Sequence, residues 1–313
     1  MPKKAKAKTA PARLRRPREL ITILDFVRYA ATEFNQARLV FAHGTDDAVG
    51  DAVLLVCGAL ELAPTDFDAF AAARLSVNER RRLFDLIAAR IRTRKPVPYL
   101  INRVYMRGVP FHVDERVIVP RSYVGEILDG DLFGGGELSL IGDPTAVEHV
   151  LDLCTGSGCL AILAAMHFPN AKVDAVDISP DALAVATINV TDHGLDGRVT
   201  LLRGDLFEPV AARRYDVIIT NPPYVDAAGM AGLPPECRHE PARALDGGAD
   251  GIAIVRRIID GASVRLNAGG GLLCEVGRGR ATLERAFPHT SFLWIDTEAS
   301  TGEVFWLGAD ALA

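Results

Sequence analysis

The stretch that decides the fold is VLDLCTGSGCLAILAAMHF, residues 150–168. It opens with an apolar run of strand length and closes with an apolar run that suits a helix. Between them lie the small residues of Cys154–Gly158. Small residues let the backbone turn tightly and approach a ligand at the N-terminus of a helix. Because many turns contain a GxG pair, this signal is weak without the context of the rest of the chain.

Apolar runs of strand length recur from about residue 148 onward: HVLDLC, KVDAVDI, VTLLRGD, YDVIITN, GGLLCEV, SFLWIDT and EVFWLGA. Helical stretches are expected between the first five runs, which predicts a parallel, doubly wound α/β sheet. Only EASTG divides the last two runs, so they should pair as an antiparallel hairpin at one edge. Seven strands with the last one antiparallel are typical of S-adenosylmethionine-dependent methyltransferases.

Three acidic residues, Asp152, Asp177 and Asp205, stand at the predicted carboxyl ends of the first three strands. Ligands of open α/β sheets bind at that edge, and an acid about 20 residues after the glycine-rich turn is placed to bind ribose hydroxyls. Asp177 has this position. Each acid could instead cap the following helix. NAD is a competing cofactor, because Ala161 at the third position of the GxGxxG pattern is tolerated.

The fourth strand, YDVIIT, ends at Asn221-Pro-Pro-Tyr224. Proline cannot donate to a sheet ladder, so the strand stops there. Asn221 Oδ1 and the Pro222 carbonyl can each accept one N–H of a planar NH₂ group, and Tyr224 can cover its face. Two such acceptors would orient the lone pair of a poorly nucleophilic nitrogen. The pattern therefore favours methyl transfer to nitrogen over NAD chemistry, although NPP alone can be a mere turn.

Four regions are predicted along the chain. Residues 1–18 form a disordered basic tail with eight Lys/Arg and no acid, and residues 19–98 form a helical substrate-docking domain. Residues 99–147 form a hairpin linker followed by a mobile loop, and residues 148–313 form the catalytic domain. Ser76-Val-Asn-Glu79 predicts a capping box at the start of the third helix of the helical domain.

The formal net charge is −5, although the tail is basic. The remainder of the chain is therefore acidic, which disfavours duplex nucleic acid as the main ligand. The tail is interpreted as a solubilising arm, a contact for RNA or a ribosome-like partner, or a transit peptide. The longest apolar stretch, residues 52–60, is too short to span a membrane. The five cysteines form no CxxC pair, which suits a reduced cytoplasm without disulfides or a metal site.

Residues 148–225 resemble the HemK-like family of N5-glutamine methyltransferases. The resemblance extends to RKPVPYL (94–100), DERVIVPRS (114–122), GE (125–126) and EVG (275–277). Cys154 and the segment 224–245 are similar to the branch that modifies the third protein of the large ribosomal subunit. The wider family has Gly where this chain has Cys154, and the basic tail matches no part of the family pattern.

The resemblance implies that S-adenosylmethionine is the cofactor. Its binding residues would be Asp152, Cys154, Thr155, Gly156, Ser157, Gly158, Asp177, Ile178, Asp205, Leu206 and Asn221. The target glutamine would be held by Asn221, Pro222, Pro223 and Tyr224. Phe111 and Arg121 are candidates for the wall of its pocket, with ordinary packing or a surface charge as the alternative. His239 and Glu240 are candidates for a docking surface, with a plain loop role as the alternative.

The expected function is methylation of a protein glutamine, with the ribosomal protein as substrate. Three alternatives remain open. A release-factor methyltransferase would share the clamp and differ in its docking surface. An adenine-N6 DNA methyltransferase needs the same clamp and must also flip a base. A non-catalytic RNA-binding protein would have no need of Asn221.

Overall fold

The computed structural model describes residues 15–312 of the 313-residue chain. These residues divide into two compact units. The first ends at Ile101 and the second begins at Asn102. The contacts thus group the predicted hairpin with the sheet that follows it.

The first unit is helical, as the spacing of apolar residues predicts. Its helices are α1 (Ile23–Gln36), α2 (Ala48–Ala59), α3 (Phe67–Phe70), α4 (Val77–Thr93) and α5 (Val97–Ile101). The predicted capping box is confirmed, since Ser76 Oγ accepts the N–H of Glu79 and the Glu79 carboxylate accepts the N–H of Ser76. Pairing these groups satisfies two donors at the N-terminus of α4 that would otherwise lack partners.

Residues 15–18 of the predicted tail belong to the described chain, and residues 1–14 lie outside it. Tyr29 donates its hydroxyl hydrogen to the carbonyl of Arg15. Arg16 pairs with Asp85 and lies 5.8 Å from the centre of the Phe84 ring. The prediction of a disordered tail is therefore wrong for Arg15 and Arg16, because the helices of the first unit give them partners.

Within the described chain, no single helix has the length and apolar composition needed to cross a membrane. Two segments, Ala48–Ala59 and Pro64–Phe70, meet the criterion only when taken as a pair, and they bend by 97° at their junction.

The second unit contains a two-stranded hairpin and a seven-stranded sheet. The strands are β1 (Val104–Met106), β2 (Val109–Phe111), β3 (His149–Leu153), β4 (Lys172–Asp177), β5 (Val199–Arg203), β6 (Tyr215–Thr220), β7 (Leu266–Glu275), β8 (Leu293–Ile295) and β9 (Val304–Gly308). The helices are α6 (Tyr123–Leu128), α7 (Cys159–His167), α8 (Pro180–Asp192), α9 (Ala227–Gly232), α10 (Ala253–Ala262) and α11 (Arg280–Ala286).

The strand order in the large sheet is β5-β4-β3-β6-β7-β9-β8. The pairs among β3, β4, β5, β6 and β7 are parallel, and β9 is antiparallel to both β7 and β8. This confirms the predicted α/β sheet with an antiparallel last strand. Chain order reverses between β3 and β6, so the carboxyl ends of these strands flank a topological switch point where ligands bind.

One predicted crossover helix is missing. Between β5 and β6 the described chain has a single 3₁₀ turn, Glu208–Val210, and no α-helix. Pro209 within this turn lacks a backbone donor, and Gly204 before it packs so closely that a Cβ there would lie 2.5 Å from Pro209 Cδ. Such close packing leaves the segment compact without a helix.

The segment before β3 was expected to be a mobile loop. Phe133 within it is fully buried, and its ring packs edge-on against Phe168 and Trp306 with centroids 6.2 and 5.5 Å away. The expectation is therefore wrong at Phe133, because aromatic contacts anchor the loop to the back of the sheet.

The hairpin of β1 and β2 is held to the sheet by Asn189 of α8, which is 1% exposed. Asn189 Oδ1 accepts the N–H of His112 at 2.7 Å. Asn189 Nδ2 donates to the carbonyls of His112 and Ser157 at 3.0 and 2.8 Å. One buried amide thus joins the hairpin, α8 and the glycine-rich loop.

Candidate active site

A cavity of about 860 Å³ lies at the carboxyl ends of the parallel strands. Its lining includes eight of the residues singled out from the sequence: Cys154, Gly156, Asp177, Ile178, Asp205, Leu206, Asn221 and Pro223. The strands end together at this edge because they run parallel, so residues far apart in sequence meet there. The cavity is large enough for a ligand of cofactor size.

The glycine-rich loop connects β3 to α7. Gly158 has φ +82°, and a Cβ there would lie 3.2 Å from Ala186 Cβ, so the residue must be small to let α7 begin. The side chains of Thr155 and Ser157 are buried. Thr155, Ser157 and Gly158 therefore shape the loop without lining the cavity, because the tight turn points them toward the protein interior.

Asp152 differs from its predicted place on the rim. It is fully buried, and its Oδ2 accepts the hydroxyl hydrogen of Thr155 at 2.6 Å. Burial raises its pKa to about 7, although the bond from Thr155 opposes this. Asp152 holds the glycine-rich loop through its hydrogen bond with Thr155. It does not line the cavity, because it precedes the last residue of β3.

Asp177, the last residue of β4, does line the cavity. Its Oδ2 accepts the N–H of Gly156 at 2.9 Å, and its Oδ1 accepts the N–H of Ser179 at 2.8 Å. Burial raises its pKa, while these backbone bonds oppose the rise. Each carboxylate oxygen keeps a second lone pair. Asp177 can therefore hold the loop and accept a ligand hydroxyl at the same time.

Two residues of the lining, Cys154 and Leu206, have left-handed backbones, with φ of 58° and 52°. This region is unfavourable for residues with a Cβ, and such conformations gather at binding sites. Burial raises the pKa of the Cys154 thiol, which therefore stays protonated. Ile178 is 45% exposed beside the same cavity and offers an apolar surface.

A second, small cavity of about 80 Å³ lies beside the first. It is lined by Ile118, Arg121, Asn221, Pro222, Tyr224, Val225, Ala244 and Leu245. Three residues, Ile118, Asn221 and Ala244, line both cavities. A group in the small cavity would therefore stand next to a ligand in the large one, with Asn221 at the boundary.

The side-chain amide of Asn221 is oriented by one hydrogen bond, which Nδ2 donates to the carbonyl of Arg121 at 3.3 Å. Among residues 15–312, no group donates to Asn221 Oδ1 or to the Pro222 carbonyl. Pro222 lies beyond the end of β6 at Thr220, so the sheet offers its carbonyl no partner. Two residues that line the small cavity, Asn221 and Pro222, thus each keep an acceptor without a donor among residues 15–312.

Tyr224 is held at its hydroxyl, which donates to Glu275 Oε1 at 3.0 Å. Glu275 is 1% exposed, and its Oε2 accepts from the Ser122 hydroxyl at 2.7 Å and the Tyr123 N–H at 3.0 Å. Burial raises the pKa of Glu275 to about 7, against these hydrogen bonds. Burial and the neighbouring Glu275 also raise the pKa of Tyr224, which stays protonated.

Arg121 lines the small cavity, as predicted from its place in the hairpin region. Its guanidinium forms two hydrogen bonds with the Glu240 carboxylate, at 2.6 and 2.8 Å. Glu240 Oε1 also accepts the Val119 N–H at 3.0 Å, and its side chain is fully buried. The docking role expected for Glu240 is therefore wrong, since its carboxylate is engaged inside the protein.

Phe111, the other residue expected in the pocket wall, is 1% exposed and does not line either cavity. Its ring packs 5.2 Å from the ring of His193. Successive side chains of a strand point to opposite faces, and the Phe111 side chain is on the face of β2 toward the end of α8. The prediction that Phe111 forms part of the pocket wall is therefore wrong.

Sequence reasoning missed several residues that the structure brings to the site. Ile118 and Ala244 line both cavities, and Arg243 and Arg257 line the large one. Glu275 was also missed, although the sequence held a sign of its importance. It is the first residue of the EVG segment that contributed to the family resemblance.

The lining of the large cavity suits a nucleoside. Asp177 offers lone pairs for ribose hydroxyls, and Leu206 and the exposed face of Ile178 offer apolar surface for a purine. Together with the seven-stranded sheet and its reversed last strand, this cavity defines the class of S-adenosylmethionine-dependent methyltransferases.

Comparison with known proteins agrees with this class. The family profile described as Methyltransferase small domain matches residues 138–232. A ribosomal protein uL3 glutamine methyltransferase from Bradyrhizobium diazoefficiens is 62% identical over 309 residues, or 98% of this chain and 97% of the relative. One of the same name from Bordetella pertussis is 49% identical over 294 residues, or 94% and 97%. A solved methyltransferase from Pyrococcus furiosus is 18% identical, covering 74% of this chain and all of that one, with a TM-score of 0.45.

The chain belongs to the family of ribosomal protein uL3 glutamine methyltransferases. Within the wider HemK-like group, the branch suggested by Cys154 and residues 224–245 is confirmed. S-adenosylmethionine is its cofactor, and NAD is set aside.

Proposed function

We propose that this enzyme transfers a methyl group from S-adenosylmethionine to the side-chain amide nitrogen of a glutamine in ribosomal protein uL3. The observation that carries the proposal is the pair of free acceptors, Asn221 Oδ1 and the Pro222 carbonyl, in a small cavity beside the large one. The names of the curated relatives support uL3 as the substrate.

The chain's own residues would act by positioning. Asn221 and Pro222 would each accept one N–H of the carboxamide, which draws electron density onto its nitrogen and aims the lone pair toward the large cavity. Tyr224 would lie against the planar group. When bound, the cofactor supplies an electrophilic methyl group on sulfur. The methylated nitrogen then loses one proton to water, so the site needs no strong base.

The size of the small cavity favours a carboxamide over adenine. Its volume is about 80 Å³, whereas a cavity that binds benzene measures about 150 Å³. Adenine is larger than benzene, so a flipped base would need the walls to move apart. This observation supports a protein amide over the adenine-N6 alternative.

The release-factor alternative shares this clamp, so the substrate decides between them. We expect labelled S-adenosylmethionine to modify purified uL3, with one added methyl located on a glutamine by fragmentation mass spectrometry. A uL3 variant with that glutamine changed to alanine is the control and should take up no label. Labelling of a release factor in preference to uL3 would contradict the proposal.

The basic tail is proposed to contribute contacts with RNA or the ribosome rather than to catalysis. Its residues 1–14 carry five of the basic side chains and lie outside the described chain. We expect deletion of residues 1–14 to leave kcat and KM for isolated uL3 within about twofold, because free uL3 carries no RNA for the tail to meet. Loss of activity on free uL3 would instead give the tail a role in docking the protein. Modification of a ribosomal protein also makes the cytoplasm the proposed location.

A further inference from the structure

We propose that Glu275 and Gly277, at the end of β7, are positioning residues that hold the Tyr224 ring as a wall of the substrate cavity. The inference rests on the proposed function and adds to it, because it assigns a role to two residues that lie outside the NPPY segment.

Glu275 fixes the far end of the ring. Its Oε1 accepts the Tyr224 hydroxyl hydrogen at 3.0 Å, and its Oε2 is held in turn by Ser122 and Tyr123. Because Glu275 is 1% exposed, water does not compete effectively for the Tyr224 hydroxyl. Buried hydrogen bonds to a carboxylate are among the stronger ones in proteins. The ring therefore has one favoured orientation before substrate arrives.

Gly277 leaves the space in which the same ring packs. A Cβ at this position would lie 2.6 Å from Tyr224 Cε2 and 2.8 Å from Cδ2. Contacts under 3.0 Å are not tolerated, so any larger residue would displace the ring from this position. Gly277 also has φ +50°, which further favours glycine.

Tyr224 lines the small cavity directly. Glu275 and Gly277 are not in its lining, and the ring is the lining group that both of them contact. Movement of the ring would change the fit of a carboxamide while leaving the large cavity intact, since Tyr224 does not line the latter. The inference therefore predicts a loss in kcat without a loss in cofactor affinity.

The test is a double-mutant cycle with kcat on uL3 and calorimetric cofactor affinity as readouts. We expect Tyr224→Phe and Glu275→Gln each to lower kcat about tenfold, with cofactor Kd within twofold, because each weakens the same hydrogen bond. The double variant should be no slower than the slower single variant. Gly277→Ala should also lower kcat with cofactor Kd unchanged.

Tyr215→Phe is the matched control. The Tyr215 hydroxyl donates to Asp174 at 2.7 Å, and Tyr215 begins β6 at the end away from Asn221. This variant loses a similar hydrogen bond and should lower the melting temperature with kcat unchanged. Independent losses that multiply in the double variant, or full kcat in Tyr224→Phe, would overturn the inference. Absence of uL3 methylation by the wild-type enzyme would instead reject the proposed function.

Discussion

Asn221→Ala is expected to abolish most turnover with a much smaller effect on cofactor affinity, because Asn221 is only one of many residues that line the large cavity. The substitution removes one of the two acceptors that would hold the target nitrogen. Loss of a single preorganised hydrogen-bonding group in an active site lowers kcat by about 10²- to 10³-fold. The measurement pairs steady-state methylation of uL3 with calorimetric titration of S-adenosylmethionine. Activity within threefold of the wild type would reject the clamp.

A second variant at the same position separates acceptance from orientation. Asn221→Asp keeps a side-chain oxygen as acceptor but replaces the amide nitrogen with a second oxygen, so it loses the N–H that Asn221 donates to the Arg121 carbonyl. Two oxygens facing each other repel, so the carboxylate should turn away from its working position. We expect Asn221→Asp also to reduce kcat, because an acceptor alone is insufficient without its orientation. Equal activity in Asn221→Asp and the wild type would remove the role of Arg121.

Asp177→Ala is expected to weaken cofactor binding strongly. The carboxylate would accept the ribose hydroxyls, and hydrogen bonds to charged groups contribute about 1.5–3 kcal/mol each. Two such bonds correspond to a loss of at least about 100-fold in affinity. The substitution also leaves the N–H groups of Gly156 and Ser179 without their acceptor, which loosens the loop. Calorimetry with S-adenosylmethionine measures the effect.

Asp192→Ala is the control for the change in charge, since Asp192 is an exposed residue at the end of α8. Its cofactor affinity should match that of the wild type. The melting temperature of Asp177→Ala is recorded in parallel, so that a loss of folding is distinguished from a loss of binding. Unchanged cofactor affinity in a folded Asp177→Ala variant would remove the ribose role.

The order of strands and helices could be predicted because the second unit repeats apolar runs at regular intervals. The sequence also predicted the hairpin of β8 and β9, but not which of its strands would join β7. The burial of the two strands explains the outcome. Only Ile295 of β8 is buried, whereas the first four residues of β9 are buried, so β9 takes the inner position.

The site was harder to predict than the fold, because parallel strands are buried on both faces and give no alternation to read. Asp152 and Asp177 look alike in sequence, yet one lies inside β3 and the other ends β4 at the cavity. The hydrogen-bond partners of the buried carboxylates also could not be predicted, because they lie far away in sequence. Glu240 meets Arg121 across 119 residues of sequence, and Glu275 meets Ser122 across 153.

The amide of Asn189 has a practical consequence for exchanging parts between relatives. Because Asn189 forms hydrogen bonds with both His112 and Ser157, one side chain holds both the hairpin and the glycine-rich loop. A chimera joined near residue 147 would combine the hairpin of one parent with the Asn189 of the other. The hydrogen bonds between Asn189 and His112 would then join segments from different proteins. A junction between Ile101 and Asn102 keeps all three bonds within one parent. A chimera should therefore be joined at that position, where these three hydrogen bonds stay intact.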